Sequence, residues 1–161
     1  MHEKNQIEIR SATVADYDAL ADVMFDAVRH GPSAYTEEQR QAWVPQPRRG
    51  VDWVERLSSQ SIFVAANSSE VVGFMSLAEA GYIDFAYIRP SAQGTGVFRR
   101  LYESIEKLSQ QNGETRLWVH ASLMAQPAFA AMGFAIKKKE VVQIGEQSLD
   151  RFEMEKRIGI H

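Results

Sequence analysis

The chain has 161 residues, 45% apolar and 24% charged, with no cysteine and a net charge of −3. The length fits a single domain over residues 1–161 that buries roughly 70% of its unfolded surface, and the missing cysteines exclude disulfides, thiolate metal clusters and a cysteine nucleophile. The slight acidity argues against a nucleic-acid surface. Apolar runs such as Ile62 to Ala66 fall far short of the ~20 residues of a membrane span. Met1 to Gln6 carry neither the charge nor the apolar core of a leader, so a cytoplasmic location is expected.

In chain order, Ile7-Glu8-Ile9 alternates with the period of a strand. Thr13 stands three residues before Asp16 as a helix N-cap. Val14, Tyr17, Leu20, Ala21, Met24, Phe25 and Val28 then recur at helical steps, and Gly31-Pro32 ends that helix. Residues 33–60 are less regular. Thr36-Glu37-Glu38-Gln39 has the form of a capping box opening a short helix through Trp43. Pro45, Pro47 and Gly50 interrupt, and Val51 to Leu57 can form another short helix. Tyr35, Trp43 and Trp53 fall in this stretch. They either pack its helices onto the domain or form the aromatic wall of a substrate site.

Three strands are expected at Ile62 to Ala66, Val71 to Leu77 and Tyr82 to Ile88, joined by connections short enough for an antiparallel meander. A second amphipathic helix carries Val97, Phe98, Leu101, Ile105 and Leu108 and stops at Asn112-Gly113. Leu117 to Val119 reads as a strand and Met124 to Met132 as a short helix, with Pro127 in its first turn. Phe134 to Ile144 and Leu149 to Met154 form a terminal hairpin around Gly145-Glu146. The pattern is α+β: one domain with a mixed, mostly antiparallel sheet of six or seven strands flanked by helices. An exposed terminal hairpin offers an edge through which a homodimer could form.

Gln93-Gly94-Thr95-Gly96 lies between a strand and a helix. Backbone N–H groups there can converge with those of the helix's first turn to make an anion site. No carboxylate occurs between Phe85 and Tyr102, and Arg89, Arg99 and Arg100 flank the loop. The dinucleotide fingerprint fails because position 99 is Arg, and no Gly-Lys-Ser/Thr ending makes a P-loop. Read locally, the stretch is either an anion cradle or a glycine-bearing turn.

The order of elements resembles the GNAT superfamily of acyl-CoA-dependent N-acetyltransferases. The resemblance rests on Ile88-x-Pro90 followed by Gln93-Gly94-Thr95-Gly96-Val97-Phe98. It rests also on Ala121-Ser122-x-x-Ala125, then Phe129 and Gly133-Phe134. Acetyl-CoA is the cofactor this resemblance implies. The amides of Gly94, Thr95, Gly96, Val97 and Phe98 would hold its pyrophosphate. The backbone of Ala86, Tyr87 and Ile88 would pair with its pantetheine arm beside a splayed fourth strand. Gln93, Arg99, Ser122 and Phe129 complete the implied cofactor set, although Ser122 can equally serve as a helix N-cap. Phe98 replaces the family's Gly or Ala, so its ring is expected to turn toward the core. Phe129 stands where the family's thiolate acid is a Tyr; a phenyl ring cannot donate a proton.

Asp84 is the first candidate for the base, on the expectation that the apolar run around it desolvates its carboxylate and that Tyr82, Asp84 and Ala86 share one strand face. Tyr82 and Tyr87 are candidate acids, and His120 a further base at the end of its strand. His2, His30, His120 and His161 form no cluster in the sequence, so no metal is expected. The function implied is direct acetyl transfer to an amine of a small molecule or peptide in a ternary complex. The alternatives are an acyl-CoA-binding module that has lost catalysis, transfer of another acyl group, and a hydroxyl acceptor.

Overall fold

A computed structural model of the chain describes residues 6–159; His2, His161 and the first five residues of the leader reading lie outside them. Strand β1 (Glu8–Ser11) leads through a 3-10 turn (Val14–Asp16) to helices α1 (Tyr17–His30), α2 (Glu37–Trp43) and α3 (Val51–Ser58). Then come β2 (Ser61–Ala66), β3 (Val71–Leu77), β4 (Tyr82–Ile88), α4 (Val97–Gln111), β5 (Arg116–Ser122), α5 (Gln126–Ala131), β6 (Ala135–Ile144) and β7 (Gln147–Arg157). The seven strands form one sheet in the order β1-β2-β3-β4-β5-β7-β6, antiparallel except between β4 and β5.

Alternation along β2 and β3 splits the core into two layers. Ala65, Val72, Met75 and Leu77 meet Val97, Leu101 and Ile105 of α4, while Ile62, Val64, Val71 and Phe74 meet Leu20, Val23 and Met24 of α1. Because β3 is covered on both faces, every one of its residues is buried. Each of its large apolar side chains contributes roughly 1.5–3 kcal/mol.

The first helix departs from the expected pattern. Arg10 holds the Asp16 carboxylate with two bonds of 2.9 and 3.0 Å, and Asp16 accepts from the Thr13 amide at 2.7 Å. That box closes a 3-10 turn, so the α-helix begins only at Tyr17 and Val14 falls out of register, 70% exposed. The second capping box forms as read: Thr36 Oγ1 accepts from the Gln39 amide, and Gln39 Oε1 from the Thr36 amide.

The feature that positions the site is a fork. β4 and β5 pair only at Tyr82↔Trp118 and Ile83↔Val119, and beyond Ile83 the two strands part. The cause lies on the other edge of β4. Leu77 faces Ile83 but Met75 faces Ala86, so β4 carries one extra residue, a bulge at Asp84 and Phe85. The bulge breaks the expected alternation. Ala86 turns with Ile83 and Ile88 into the layer beneath α4, whereas Phe85 and Tyr87 enter the layer beneath α1. Ala86 therefore does not share a face with Tyr82 and Asp84.

A bulge strands a backbone donor, and here Ser76 satisfies it. The fully buried Ser76 hydroxyl accepts from the Phe85 amide at 3.0 Å. Ser76→Ala leaves that amide buried without a partner and lowers stability by about 1–3 kcal/mol, readable in urea unfolding. An unchanged midpoint would mean that the bulge does not depend on Ser76.

Candidate active site

The Gly94–Gly96 loop forms as a cradle. Gly94 and Gly96 have φ of +77° and +86°, which glycine adopts without strain, and a Cβ at either would meet nothing within 4 Å. The six successive amides from Gly94 to Arg99 donate to no protein acceptor among the described residues; the first intrahelical bond is from Arg100 N to Gly96 O at 3.2 Å. Thr95 folds its hydroxyl back on Ala92 O at 2.5 Å, and Gln93 Nε2 ties the loop to Ile88 O at 3.1 Å. Val97 is buried in the core, so its amide alone faces outward. Phe98 packs its ring edge-on against Phe129 with centroids 5.1 Å apart, turned to the core as expected.

Of the three flanking arginines only Arg99 lines the groove beside the loop. Arg89 is held by Asp26 at 3.0 Å and by Val71 O at 2.9 Å, and Arg100 borders a separate depression near β1. The groove is about 410 Å³ and runs from Gly94 and Gly96 past Ile88, Tyr87 and Ala86 to Ser122. The edge of β4 facing it has no strand partner from Asp84 to Ile88 among the described residues. Ser122, the last residue of β5, is not the N-cap of α5, which is Ala125; its Oγ accepts from Ala125 N at 3.1 Å in the turn before the helix, and its hydroxyl proton is left for the groove.

A second cavity of about 170 Å³ lies at the fork and shares Tyr35, Trp43, Tyr87 and Ser122 with the groove. Tyr82, Asp84, His120, Arg48, Arg56 and Arg151 supply its polar lining. A shallower outer hollow meets it through Trp43, Arg48 and Arg56. The three spaces border one another through these shared residues.

Two residues expected at the site are in the core instead. Phe129 is 1% exposed, wedged between Phe98 and Phe134, and lines no part of the groove. Trp53 is 4% exposed, donates to Tyr17 O at 2.9 Å and packs on Phe85; its only opening is to the outer hollow. Tyr35 and Trp43 do form the wall, stacked edge-on at 5.8 Å. The Tyr35 hydroxyl accepts from Leu123 N at 3.0 Å and donates to Asp150 O at 2.6 Å, pinning the wall to β5 and β7.

Asp84 lines the cavity at the fork, but its surroundings are not apolar. Arg56 donates to both carboxylate oxygens at 2.7 and 2.9 Å and Gln60 Nε2 adds a third bond at 2.7 Å. His120 is placed differently. Burial, then the nearby Arg151 charge, push its pKa below the usual histidine value, so the ring is neutral at pH 7. Its Nδ1 lies 3.0 Å from the Tyr82 hydroxyl and its Nε2 3.4 Å from Glu140. Glu140 at Nε2 favours the tautomer with its proton there, leaving Nδ1 to accept from Tyr82. Burial, then Asp84, raise the Tyr82 pKa and keep its phenol protonated. Tyr87 is held protonated chiefly by burial, and its hydroxyl bonds to no protein group among the described residues.

The expectation of no metal rested on the histidines alone. The fold brings Glu140 and Glu153 beside His120, with potential ligand atoms within 4.8 Å of one another. Arg151 pairs with Glu140 at 2.9 Å, and Lys138 lies 3.8 Å from Glu153, so these carboxylates already have cationic partners.

Arg48, Arg56 and Arg151 were missed in the sequence. Arg48 could have been noticed as a cation set between Pro47 and Gly50, where no helix or strand consumes it; Arg151 carries no local signal.

A forked sheet with a backbone anion cradle at one end and a polar cavity at the other suits a transferase. It can hold a long phosphate-bearing donor by backbone alone and present the donor's far end to a second substrate. Residues 32–157 match the GNAT acetyltransferase domain family. The uncharacterised N-acetyltransferase YafP of Escherichia coli (strain K12) is 31% identical over 142 residues, spanning 86% of this chain and 88% of that protein. A GCN5-related N-acetyltransferase from Rhodopseudomonas palustris superposes with a TM-score of 0.87 at 29% identity, covering 94% of this chain and 95% of the other. The PaiA N-acetyltransferase from Thermoplasma acidophilum, solved with coenzyme A, gives a TM-score of 0.75 at 19% identity, over 95% of this chain and 99% of that one. The chain belongs to the GNAT acetyltransferase family. By class it is an acetyl-CoA-dependent N-acetyltransferase. No helix among the described residues is long and apolar enough to cross a membrane.

Proposed function

We propose that the protein transfers acetyl directly from acetyl-CoA to the amine of a small molecule or peptide, with both substrates bound together at the fork. The carrying observation is that the cofactor groove and the 170 Å³ cavity meet at Tyr87 and Ser122. The cradle amides, the glycines without Cβ and the unpaired β4 edge fit the pyrophosphate and pantetheine, so Gly94 to Arg99, Ala86 to Ile88 and Ser122 would hold the cofactor. Bound acetyl-CoA supplies the thioester carbonyl that an amine attacks.

The protein's part is proton handling. An amine arriving as ammonium passes its proton to the Tyr82 oxygen while Tyr82 gives its own to His120 Nδ1, and Glu140 steadies the resulting imidazolium through Nε2. Tyr87, protonated and lining both spaces, would supply a proton to the leaving sulfur, the role that Phe129 cannot fill. Asp84 positions Arg56 in the cavity wall. We place the reaction in the cytoplasm. We also propose a homodimer through the terminal hairpin, whose outer strand β6 carries Lys137, Lys138 and Lys139; light scattering tests it.

Thiol release from acetyl-CoA over a panel of amines tests the transferase reading, with calorimetry of acetyl-CoA alongside. Asp84→Asn is expected to keep the acidic limb of the pH–rate profile, because that limb belongs to His120. If Asp84→Asn abolishes the limb, the base is Asp84. Binding of acetyl-CoA with no thiol release from any amine would favour the binding-module alternative.

A further inference from the structure

The acceptor cavity carries more positive charge than its own carboxylate can balance. Arg48, Arg56 and Arg151 line it against Asp84 alone. Two of the three cations are already paired, Arg56 with Asp84 at 2.7 Å and Arg151 with Glu140 at 2.9 Å. Arg48 is not. Among the described residues its side chain makes no hydrogen bond or ion pair, although it is partly buried and borders both the cavity and the outer hollow. Burial weighs against its charge; among its neighbours Tyr87 and Asp84 favour the charge and Arg56 opposes it.

A half-buried guanidinium that lines a cavity and has no protein partner among the described residues is free to bind a ligand, and a carboxylate is the group that matches its fork of donors bidentately. The cavity is also small: at about 170 Å³ it holds only the volume of several waters, enough for a compact amine but not for a folded peptide segment. Its apolar part, from Met24, Val142, Ile144 and Leu149, leaves room for a short aliphatic side chain.

We propose that the acceptor is a small amine bearing a carboxylate, of amino-acid size, and that Arg48 binds that carboxylate while the amine faces Tyr82 and Tyr87. The inference rests on the transferase reading above and deepens it. Arg48 acts on both ground state and transition state, so it sets KM more than kcat. It also accounts for the segment from Val44 to Gly50, which presents this cation to both the outer hollow and the cavity.

The test compares amino acids with their primary amides and decarboxylated amines, for wild type, Arg48→Gln and Arg48→Lys. The readouts are thiol release and calorimetric binding to the protein preloaded with coenzyme A. In the wild type each carboxylate is expected to exceed its amide in kcat/KM by roughly 10- to 100-fold, mostly through KM. Arg48→Gln should bring that ratio toward one and remove carboxylate binding, while Arg48→Lys keeps part of both. Because Arg48 has no partner among the described residues, its variants should melt with the wild type, which separates lost recognition from lost folding. Equal use of acids and amides by the wild type, or a ratio unchanged in Arg48→Gln, overturns the inference and leaves the transferase reading standing. Arg48-dependent carboxylate binding without thiol release sustains the inference and overturns the transferase reading. Neither binding nor turnover of any carboxylate overturns the inference.

Discussion

Replacing His120 with Gln lowers kcat/KM by roughly 10²- to 10⁴-fold, the range expected when a general base is removed. The wild-type profile should rise with pH along a limb whose midpoint lies below the ordinary histidine value, because burial and Arg151 favour the neutral ring. Gln cannot titrate, so in the variant the limb disappears and the plateau falls. The same shift makes a stability statement whose sign can be checked. A histidine with a lowered folded pKa binds its proton more readily in the unfolded chain. Its contribution is therefore present above the unfolded value near 6.5 and lost as pH falls through the folded value. His120→Gln should accordingly melt with less acid sensitivity over that window. Tyr82→Phe should reproduce most of the kinetic loss, since the proposed relay passes through its hydroxyl, 3.0 Å from Nδ1. A His120→Gln enzyme with wild-type kcat/KM at every pH would remove His120 from the chemistry.

Gly81→Ala is the structural counterpart, with an expected loss of about 2–4 kcal/mol and a melting temperature lower by about 5–15 °C. Gly81 sits at the closed end of the fork with φ +76°, and a Cβ there would stand 2.1 Å from the Arg116 carbonyl oxygen. Backbone is what it would strike, so no side chain can move aside. The turn around it is tight. Ala78 N donates to Tyr82 O at 2.7 Å, and the Trp118 indole donates to Ala80 O at 3.2 Å. These contacts bring β4 within pairing distance of β5 at Tyr82↔Trp118 before the bulge drives the strands apart. Pushing this end open should also weaken acetyl-CoA binding measured by calorimetry, because the groove depends on where β4 starts. A Gly81→Ala protein with unchanged melting temperature would show that the hinge has slack.

Much of the fold was legible because its signals are local. The boundaries of β3 and β4 match the apolar runs between polar turns, and the Thr36–Gln39 box forms because Thr36 and Gln39, three residues apart, bond each other. Val14 shows the limit. Its spacing fits a helix, yet a bond from Arg10 to Asp16 converts the turn to 3-10 and turns the side chain to solvent. The aromatic residues divided in the same way. Tyr35 and Trp43 line the site and Trp53 is core, a distinction that depends on how α2 and α3 lean against the sheet.

The anion cradle was determined by the sequence itself, since it needs only glycines, a strand-to-helix turn and amides that no neighbour claims. Backbone donors at a helix start are a consequence of chain geometry, and no distant partner can change them. The cavity proposed for the acceptor was decided by tertiary structure. Its charges come from separated stretches: Arg48 from the loop before α3, Arg56 from α3, Asp84 from β4, His120 from β5 and Arg151 from β7. Asp84 looked desolvated in its strand because the cation that pairs with it stands 28 residues earlier. Which charges are paired, and that Arg48 is left over, follows from sheet register and helix packing. Those terms act across the chain and leave no periodic trace along it.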